Sequence, residues 1–260
     1  MKTQITSRLI HISLSICLGT CLSTHGATVT GWATTSTTTT LSNQTTASPT
    51  WGSGATDNAR ASNLYASFPT INLATAGDAI TLTGSATFAG ASVTGTGGGF
   101  FRFGLFNVNS SATTNGWLGY FAFSTGSASA GTLYERTSGN TGAFSSSTGA
   151  TALVSSAAAM GSGVVLTNTQ YNFTVNIARN SSGALVTTTS LKRNSDNLDF
   201  ANMTFTDTTP LTYAFNRVGF QNTTETNADQ ILMSNVAVIP ETSTSLLGGL
   251  GVLALLRRRR

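Results

Sequence analysis

Ile80-Thr81-Leu82-Thr83-Gly84-Ser85-Ala86-Thr87-Phe88 alternates apolar or small residues with hydroxyls at every second position. Successive side chains of an extended strand point to opposite faces. A period of two therefore places Ile80, Leu82, Gly84, Ala86 and Phe88 on one side and the hydroxyls on the other, as in a half-buried strand. Tyr171, Phe173, Val175 and Ile177 repeat the pattern, with Asn172, Thr174 and Asn176 between them. The turn formers Asn180-Ser181-Ser182-Gly183 then lead into residues 184–192, which predicts a hairpin.

Working outward, Phe100-Phe101-Arg102-Phe103-Gly104-Leu105-Phe106 and Trp117-Leu118-Gly119-Tyr120-Phe121-Ala122-Phe123 are apolar on both faces, as central strands of a sandwich should be. Further strands are expected over 203–206, 211–220 and 231–239. Residues 155–160 read as a single helical turn or as a small-residue loop. Residues 27–60 are rich in Thr and Ser, with Thr34-Thr35-Ser36-Thr37-Thr38-Thr39-Thr40 showing no apolar periodicity. Short strands separated by Gly, Ser and Asn turns predict an all-β fold, a two-sheet β-sandwich or jelly roll.

Charged residues make up only 8% of the 260, yet the formal net charge is +4. That excess sits at the two ends. Setting aside Lys2, Arg8 and the terminal Arg257, Arg258, Arg259 and Arg260 leaves seven basic residues. Eight acids oppose them once Glu241 is also set aside. The body therefore carries about −1, without the broad basic surface of a nucleic-acid binder.

Met1 to Arg8 is short and basic, an apolar run follows over residues 9–22, and small residues surround Thr24, Gly26 and Ala27. That order is the signature of a secretory signal peptide, with cleavage expected after Gly26. Leu18-Gly19-Thr20-Cys21 leaves a second reading open, a lipoprotein leader with Cys21 as the lipidation site. At the other end, Pro240-Glu241-Thr242 precedes an apolar stretch over 246–256 and the four arginines. Positive charge directly after an apolar run stops translocation and stays cytoplasmic.

These C-terminal residues resemble a PEP-CTERM sorting signal, in which a Pro-Glu-Pro motif, a hydrophobic segment and a basic terminus follow in order. The resemblance covers about residues 239–260. It implies an integral-membrane exosortase as partner, membrane anchoring through the hydrophobic helix before processing, and delivery to the cell surface or extracellular polysaccharide. Thr242 stands where the motif has its second proline. The body from 100 to 239 is similar to concanavalin A-like jelly rolls of the LamG or legume-lectin type. The suggestive pieces are Phe101-Arg102-Phe103-Gly104, Asn216-Arg217-Val218-Gly219-Phe220 and Ile231-Leu232-Met233-Ser234-Asn235-Val236-Ala237-Val238.

Both cysteines, Cys17 and Cys21, and both histidines, His11 and His25, lie in or beside the leader. The expected mature body therefore has no Ser/His/Asp or Cys/His arrangement and no His- or Cys-ligated metal. Carboxylates remain, and a glycosidase needs two opposed ones. Asp57, Asp78, Glu135, Asp196, Asp199, Asp207, Glu225 and Asp229 form no recognisable motif, so no catalytic residue is assigned. Asp196-Asn197-Leu198-Asp199 supplies three oxygen-bearing side chains within one turn, a candidate calcium site. Its competing reading is a solvated loop, and no other cofactor is expected. Trp51, Trp117, Tyr120 and Tyr134 are candidate sugar-stacking aromatics, with Trp117 and Tyr120 the leading pair.

The resulting expectation is a signal peptide over 1–26, one sandwich domain over 27–239 and a sorting and anchor segment over 240–260. The terminal helices lie outside the fold. The chain reads as a non-catalytic exported surface or matrix protein, associated with extracellular polysaccharide and not with nucleic acid. The alternative is a lectin-like carbohydrate-binding module.

Overall fold

The computed structural model describes residues 26–35, 39–52, 62–90, 99–108, 116–125, 131–137, 142–145, 148–156, 167–223 and 228–241. Residues 1–25 of the expected leader, Thr242 and Arg257 to Arg260 lie outside them, as do Asp57, Glu225 and most of the expected helical turn at 155–160. Among the described residues there is no helix.

Fifteen strands follow one another there. They are β1 (Ala27–Thr28), β2 (Ala33–Thr34), β3 (Leu41–Ser42), β4 (Thr50–Trp51), β5 (Asn63–Asn72), β6 (Ala79–Ala89), β7 (Gly99–Val108) and β8 (Trp117–Thr125). After these come β9 (Thr132–Thr137), β10 (Ala150–Ser155), β11 (Gln170–Arg179), β12 (Leu185–Arg193), β13 (Asp199–Asp207), β14 (Ala214–Asn222) and β15 (Gln230–Glu241). They form two antiparallel sheets. The eight-stranded sheet runs β13-β12-β11-β6-β15-β4-β3, with β1 also on β15, and the seven-stranded sheet runs β10-β9-β8-β7-β14-β5-β2.

The alternation that predicted β6 holds. Ile80, Leu82, Ala86 and Phe88 are fully buried between the sheets, whereas Thr81, Thr83 and Thr87 are only partly covered. The expected hairpin is β11–β12, in register from Tyr171 opposite Arg193 to Arg179 opposite Leu185. Its turn closes on the Asn180 side chain, whose Oδ1 accepts hydrogen bonds from the Ser182 and Ala184 amides. Such side-chain capping is why Asn favours turns.

The sandwich interior is aromatic. Phe101 stacks on Phe220 with centroids 5.7 Å apart, and Phe173 meets the edge of Phe220 at 5.1 Å. Burying each such ring contributes about 1.5–3 kcal/mol. Gly84 leaves room for its cross-strand partner, since a Cβ there would lie 2.6 Å from Phe173 Cζ.

Three long or medium strands, β5, β9 and β10, escape the sequence pattern. β5 contains Pro69, which cannot donate to a ladder; its neighbour β2 pairs only with Leu64 and Tyr65, so Pro69 sits on an open edge. β14 starts at Ala214, three residues later than the run beginning at 211 suggests. β15 extends further than expected, with Pro240 opposite Ile80 and Glu241 opposite Ala79. Glu241 also accepts a hydrogen bond from Thr81 Oγ1 at 3.1 Å. The sandwich thus reaches residue 241, and Pro240 and Glu241, the first two residues of the expected sorting motif, belong to its ladder.

Candidate functional site

Parity decides which side chains of the seven-stranded sheet face away from the core. Phe103 and Leu105 of β7, Tyr120 and Ala122 of β8, Leu133 of β9, and Val218 and Phe220 of β14 pack between the sheets. Their neighbours in sequence must face outward. These are Arg102, Gly104 and Phe106; Gly119, Phe121 and Phe123; Tyr134 and Arg136; and Arg217, Gly219 and Gln221. The register brings Arg136, Gly119, Phe106 and Arg217 into one row across four strands. A second row holds Tyr134, Phe121, Gly104, Gly219 and Tyr65, and a third holds Phe123, Arg102, Gln221 and Asn63.

This outer face is partly roofed. Phe144 packs edge-on to Phe106 at 5.3 Å and Phe121 at 5.5 Å, forming a second apolar cluster with Trp117 and Ala143. Gly219, opposite Gly104, makes room for it: a Cβ there would lie 3.1 Å from Phe144 Cζ. That roof explains why β7 and β8 are apolar on both faces. Two of the arginines hold it down. Arg102 Nη1 donates to the Phe144 carbonyl, and Arg136 Nη1 donates to the Thr148 carbonyl at 3.3 Å.

The electrostatics are lopsided. Three of the six described basic residues of the body lie on this face, and none of the described acids occupies an outward position of this sheet. The two ion pairs among the described residues, Lys192–Asp199 and Arg193–Asp196, are both on the β12–β13 hairpin. Arg136 is 0% exposed, and its Nε and Nη2 have no acceptor among the described residues. Burial pushes its pKa below the usual arginine value. An unmet buried donor costs about 1–3 kcal/mol. The Arg217 guanidinium lies 5.3 Å from the Tyr65 ring centroid and 5.2 Å from that of Trp117, with Nε unpartnered. The Arg102 guanidinium lies 4.5 Å from the Phe123 ring centroid. Arginine stacked on a ring keeps its charge while its edge stays available for hydrogen bonding. Asn63 Oδ1, in the third row, is likewise unsatisfied.

A different titratable group sits between the sheets. The Tyr120 hydroxyl donates to Asp207 Oδ2 at 2.6 Å, and the Thr209 amide donates to Asp207 Oδ1 at 2.9 Å. Glu135, the cross-strand partner of Tyr120, accepts from the Leu211 amide at 3.0 Å. Burial, reinforced by the neighbouring Asp207, pushes Glu135 up to about 7 against the lowering effect of the Leu211 amide. Burial first, and then the bond to Asp207, pushes Tyr120 well above the ordinary tyrosine value. Glu135 and Asp207 are the two acids that a carboxylate pair would need. Both are enclosed, at 8% and 5% exposure, and both anchor the β13–β14 connection.

The leading sugar-contact residues require correction. Trp117 is 1% exposed and Tyr120 is 0% exposed, so neither offers a ring face to a ligand. Their opposite parity sends them to opposite sides of the sheet, and both are covered: Tyr120 by the opposing sheet, and Trp117 by Tyr65, Phe106 and the Arg217 guanidinium. Trp51 is buried as well, donating from its indole to Ser62 Oγ at 3.0 Å. Tyr134 and Tyr65 are half-buried on the outer face. The candidate calcium residues do share one turn, but Asp196 is gripped by Arg193 Nε and Nη2, which holds its carboxyl down to about 2. Asp199 lies 3.6 Å from Lys192, and Asn197 takes a left-handed φ of 58° to close the turn. Among the described residues no group of three or more His, Cys, Asp or Glu is arranged to hold a metal.

The arginine face went unassigned in the sequence. Its one local signal is Arg102-x-Gly104 and Arg217-x-Gly219, a cation and a glycine at outward positions of otherwise apolar strands. Only the register shows that the two glycines pair and that Arg136 completes the set.

Neither a protein-family model nor a curated protein sequence matches the chain. Among solved structures, the legume lectin-like domain from Entamoeba histolytica matches with a TM-score of 0.45 at 8% identity, over 82% of this chain and 90% of that one. An alginate lyase from Aplysia kurodai matches with a TM-score of 0.44 at 12% identity, over 78% and 87%. Arcelin-5, a lectin-like defense protein from Phaseolus vulgaris, matches with a TM-score of 0.51 at 10% identity, over 82% of this chain and 94% of that one. The chain therefore has the two-sheet jelly-roll sandwich of the lectin-like proteins.

Proposed function

We propose that this chain is a non-catalytic exported surface protein whose sandwich binds carbohydrate, lectin-like, on the outer face of the seven-stranded sheet. The observation that carries the reading is the concentration there of aromatic rings and partly exposed polar side chains. Tyr65 and Tyr134 are half-buried, as are Asn63, Arg217 and Gln221 beside them. Sugar sites combine flat apolar surface with a few placed polar groups in this way. The sandwich shared with arcelin-5 supports the reading at the level of fold, which on its own does not fix function.

Delivery completes the proposal. The leader over 1–26 exports the chain through the inner membrane. The PEP-CTERM-like segment from Pro240 engages an exosortase, and the hydrophobic run with Arg257 to Arg260 holds the protein in the membrane until processing. Extracellular polysaccharide is then the expected partner at the surface. Calcium has one candidate place, the turn at Asp196, Asn197 and Asp199, where a bound ion must compete with Arg193.

A panel of neutral and acidic glycans tests the binding reading directly. The purified chain should bind at least one class, and Tyr65→Ala or Tyr134→Ala should weaken that binding in protein that still melts cooperatively, at a somewhat lower temperature because both rings pack on the Phe106–Phe121 cluster. Absence of binding to every glycan would refute it. Because Trp117 and Tyr120 are buried, substitutions there report on folding and are unsuitable as site probes.

A further inference from the structure

We infer that two copies of this chain join through the open edge of β13, so that their eight-stranded sheets become one continuous sheet. An edge strand presents a row of backbone amides and carbonyls with no ladder partner, and folded proteins blunt such edges. Every other open edge among the described strands is blunted. β1, β2 and β3 are two residues long, and β10 carries a bulge between Ala152 and Val154. The stretch of β5 beyond β2 carries Pro69 and a register shift against β14. β13 has nine residues, and its one irregularity is at Phe200, opposite the step from Leu191 to Lys192. From Ala201 to Asp207 it is regular, without proline or lysine, and no described strand pairs with its free side. Its two acids stand at its ends and are engaged within the same copy, Asp199 with Lys192 and Asp207 with Tyr120.

Hydrogen-bond alternation identifies the open groups. The Asn180 amide donates to the Ala184 carbonyl at 2.9 Å, and the Arg193 amide to the Leu198 carbonyl at 2.8 Å. Successive residues of an antiparallel strand turn their backbone groups to one neighbour and then to the other. Leu185, Thr187, Thr189 and Leu191 therefore bond to Asp207, Phe205, Met203 and Ala201. The amides and carbonyls of Asn202, Thr204 and Thr206 turn to the open side, and their side chains are exposed as well. An antiparallel second copy with Thr204 opposite its own counterpart places Asn202 opposite Thr206, so all three residues exchange ladder bonds. Phe205, half-buried at the rim, gains cover. With Met203 on the axis instead, Asp199 would face Asp207, and like charges directly opposite are destabilising. With Phe205 on the axis, Asn202 runs past the end of the strand. The sequence of β13 thus selects one register. The two-fold axis stands perpendicular to the joined sheet, so the outer faces of both seven-stranded sheets point the same way. A repeating glycan would meet two faces at once, a gain in avidity that rests on the carbohydrate reading although the dimer does not.

The test is the oligomeric state of the full chain in detergent, by analytical ultracentrifugation over a concentration series. A dimer is expected. Thr204→Pro removes an amide that faces the open side and leaves the β12–β13 ladder intact, as proline does at such an edge position. It should raise the dissociation constant of the dimer by about tenfold or more, the loss expected for its ladder bonds. Thr204→Lys brings two charges together on the axis and should have the same effect if the proline variant fails to fold. Thr188→Ala is the control. It removes the 3.2 Å contact between the Thr188 and Thr204 hydroxyls without touching the edge, and should stay dimeric. Hydrogen exchange gives a second readout, with the Thr204 amide protected in the dimer and exchanging freely in the monomeric control at high dilution. A chain that is monomeric up to its solubility limit overturns the inference. So does association that survives Thr204→Lys in folded protein, which assigns it to another surface such as the apolar termini. A monomeric Thr188→Ala variant overturns it as well. None of these results depends on glycan binding, so the carbohydrate reading stands or falls separately.

Discussion

Replacing Glu135 with glutamine should remove a pH dependence of stability between about pH 4.5 and 7. The side chain sits between the sheets beside Asp207 and Tyr120, and its carboxyl is raised from 4.5 to about 7, mainly by burial. A group whose folded value lies above its unfolded value keeps more protons in the folded state across that interval. Its contribution is therefore fully present below about 4.5 and is lost as pH rises through about 7. Ionising the carboxyl in the folded protein costs up to about 3 kcal/mol from the displacement alone. Relaxation of the surrounding protein around the new charge offsets part of this, and about 1.5 kcal/mol is a reasonable working figure. For a domain of this size that corresponds to about 3–6 °C in melting temperature.

Thermal melts of the wild type at intervals from pH 4.5 to 8 should show that fall. Glu135→Gln, which keeps an oxygen for the Leu211 amide and adds a donor toward Asp207, should melt nearly independently of pH. Above pH 7 it should be the more stable protein. A wild-type melting temperature that is flat from pH 4.5 to 8, or an unchanged slope in the glutamine variant, would refute the reasoning.

Three other expectations can be checked alongside. Asp196→Asn should remove a contribution that acts at the other end of the pH scale. Arg193 holds that carboxyl down to about 2, so its support is present above about 3.8 and disappears as pH falls through about 2, visible as a shallower acid-unfolding curve in the variant. Gly219→Ala should push Phe144 off the Gly104–Gly219 pair, destabilising the domain by about 1–3 kcal/mol and altering the near-ultraviolet signal of the aromatic cluster. Truncation after Glu241 should leave the melting temperature unchanged while abolishing surface delivery. Truncation after Ile239 should lower it as well, because it strips two residues from the β15–β6 ladder. Equal surface accumulation of the full chain and the 241 truncation would sink the sorting reading.

The sandwich was legible where one physical rule dominated. β6 and β11 bury one face only, and their period of two is visible residue by residue. β9 and β10 were not legible, because Thr132–Thr137 mixes a tyrosine, a glutamate and an arginine whose environments are set by three different neighbours. The site failed for the same reason. Glu135 meets Asp207 across the two sheets, and Arg136 meets Arg217 only through the register of four strands. Trp117 and Tyr120 were misjudged because parity alone cannot reveal a segment such as Ala143–Phe144 folding over the outside of a sheet. The acids of the β12–β13 turn were visible in sequence, but the cations that engage them were not.

The position of β15 carries a mechanical consequence. The last strand of the sandwich lies inside the eight-stranded sheet, with β6 along one side and β1 and β4 along the other. A pull applied through residue 242 therefore acts along the strand axis. It loads the ladder from Gln230 to Glu241 in shear, many hydrogen bonds at once, where a peripheral strand would open one bond at a time. If the sandwich grips a polymer through the opposite sheet while its tail is held, the line of force runs through the strongest direction of the fold. The architecture suits a module that has to hold under tension.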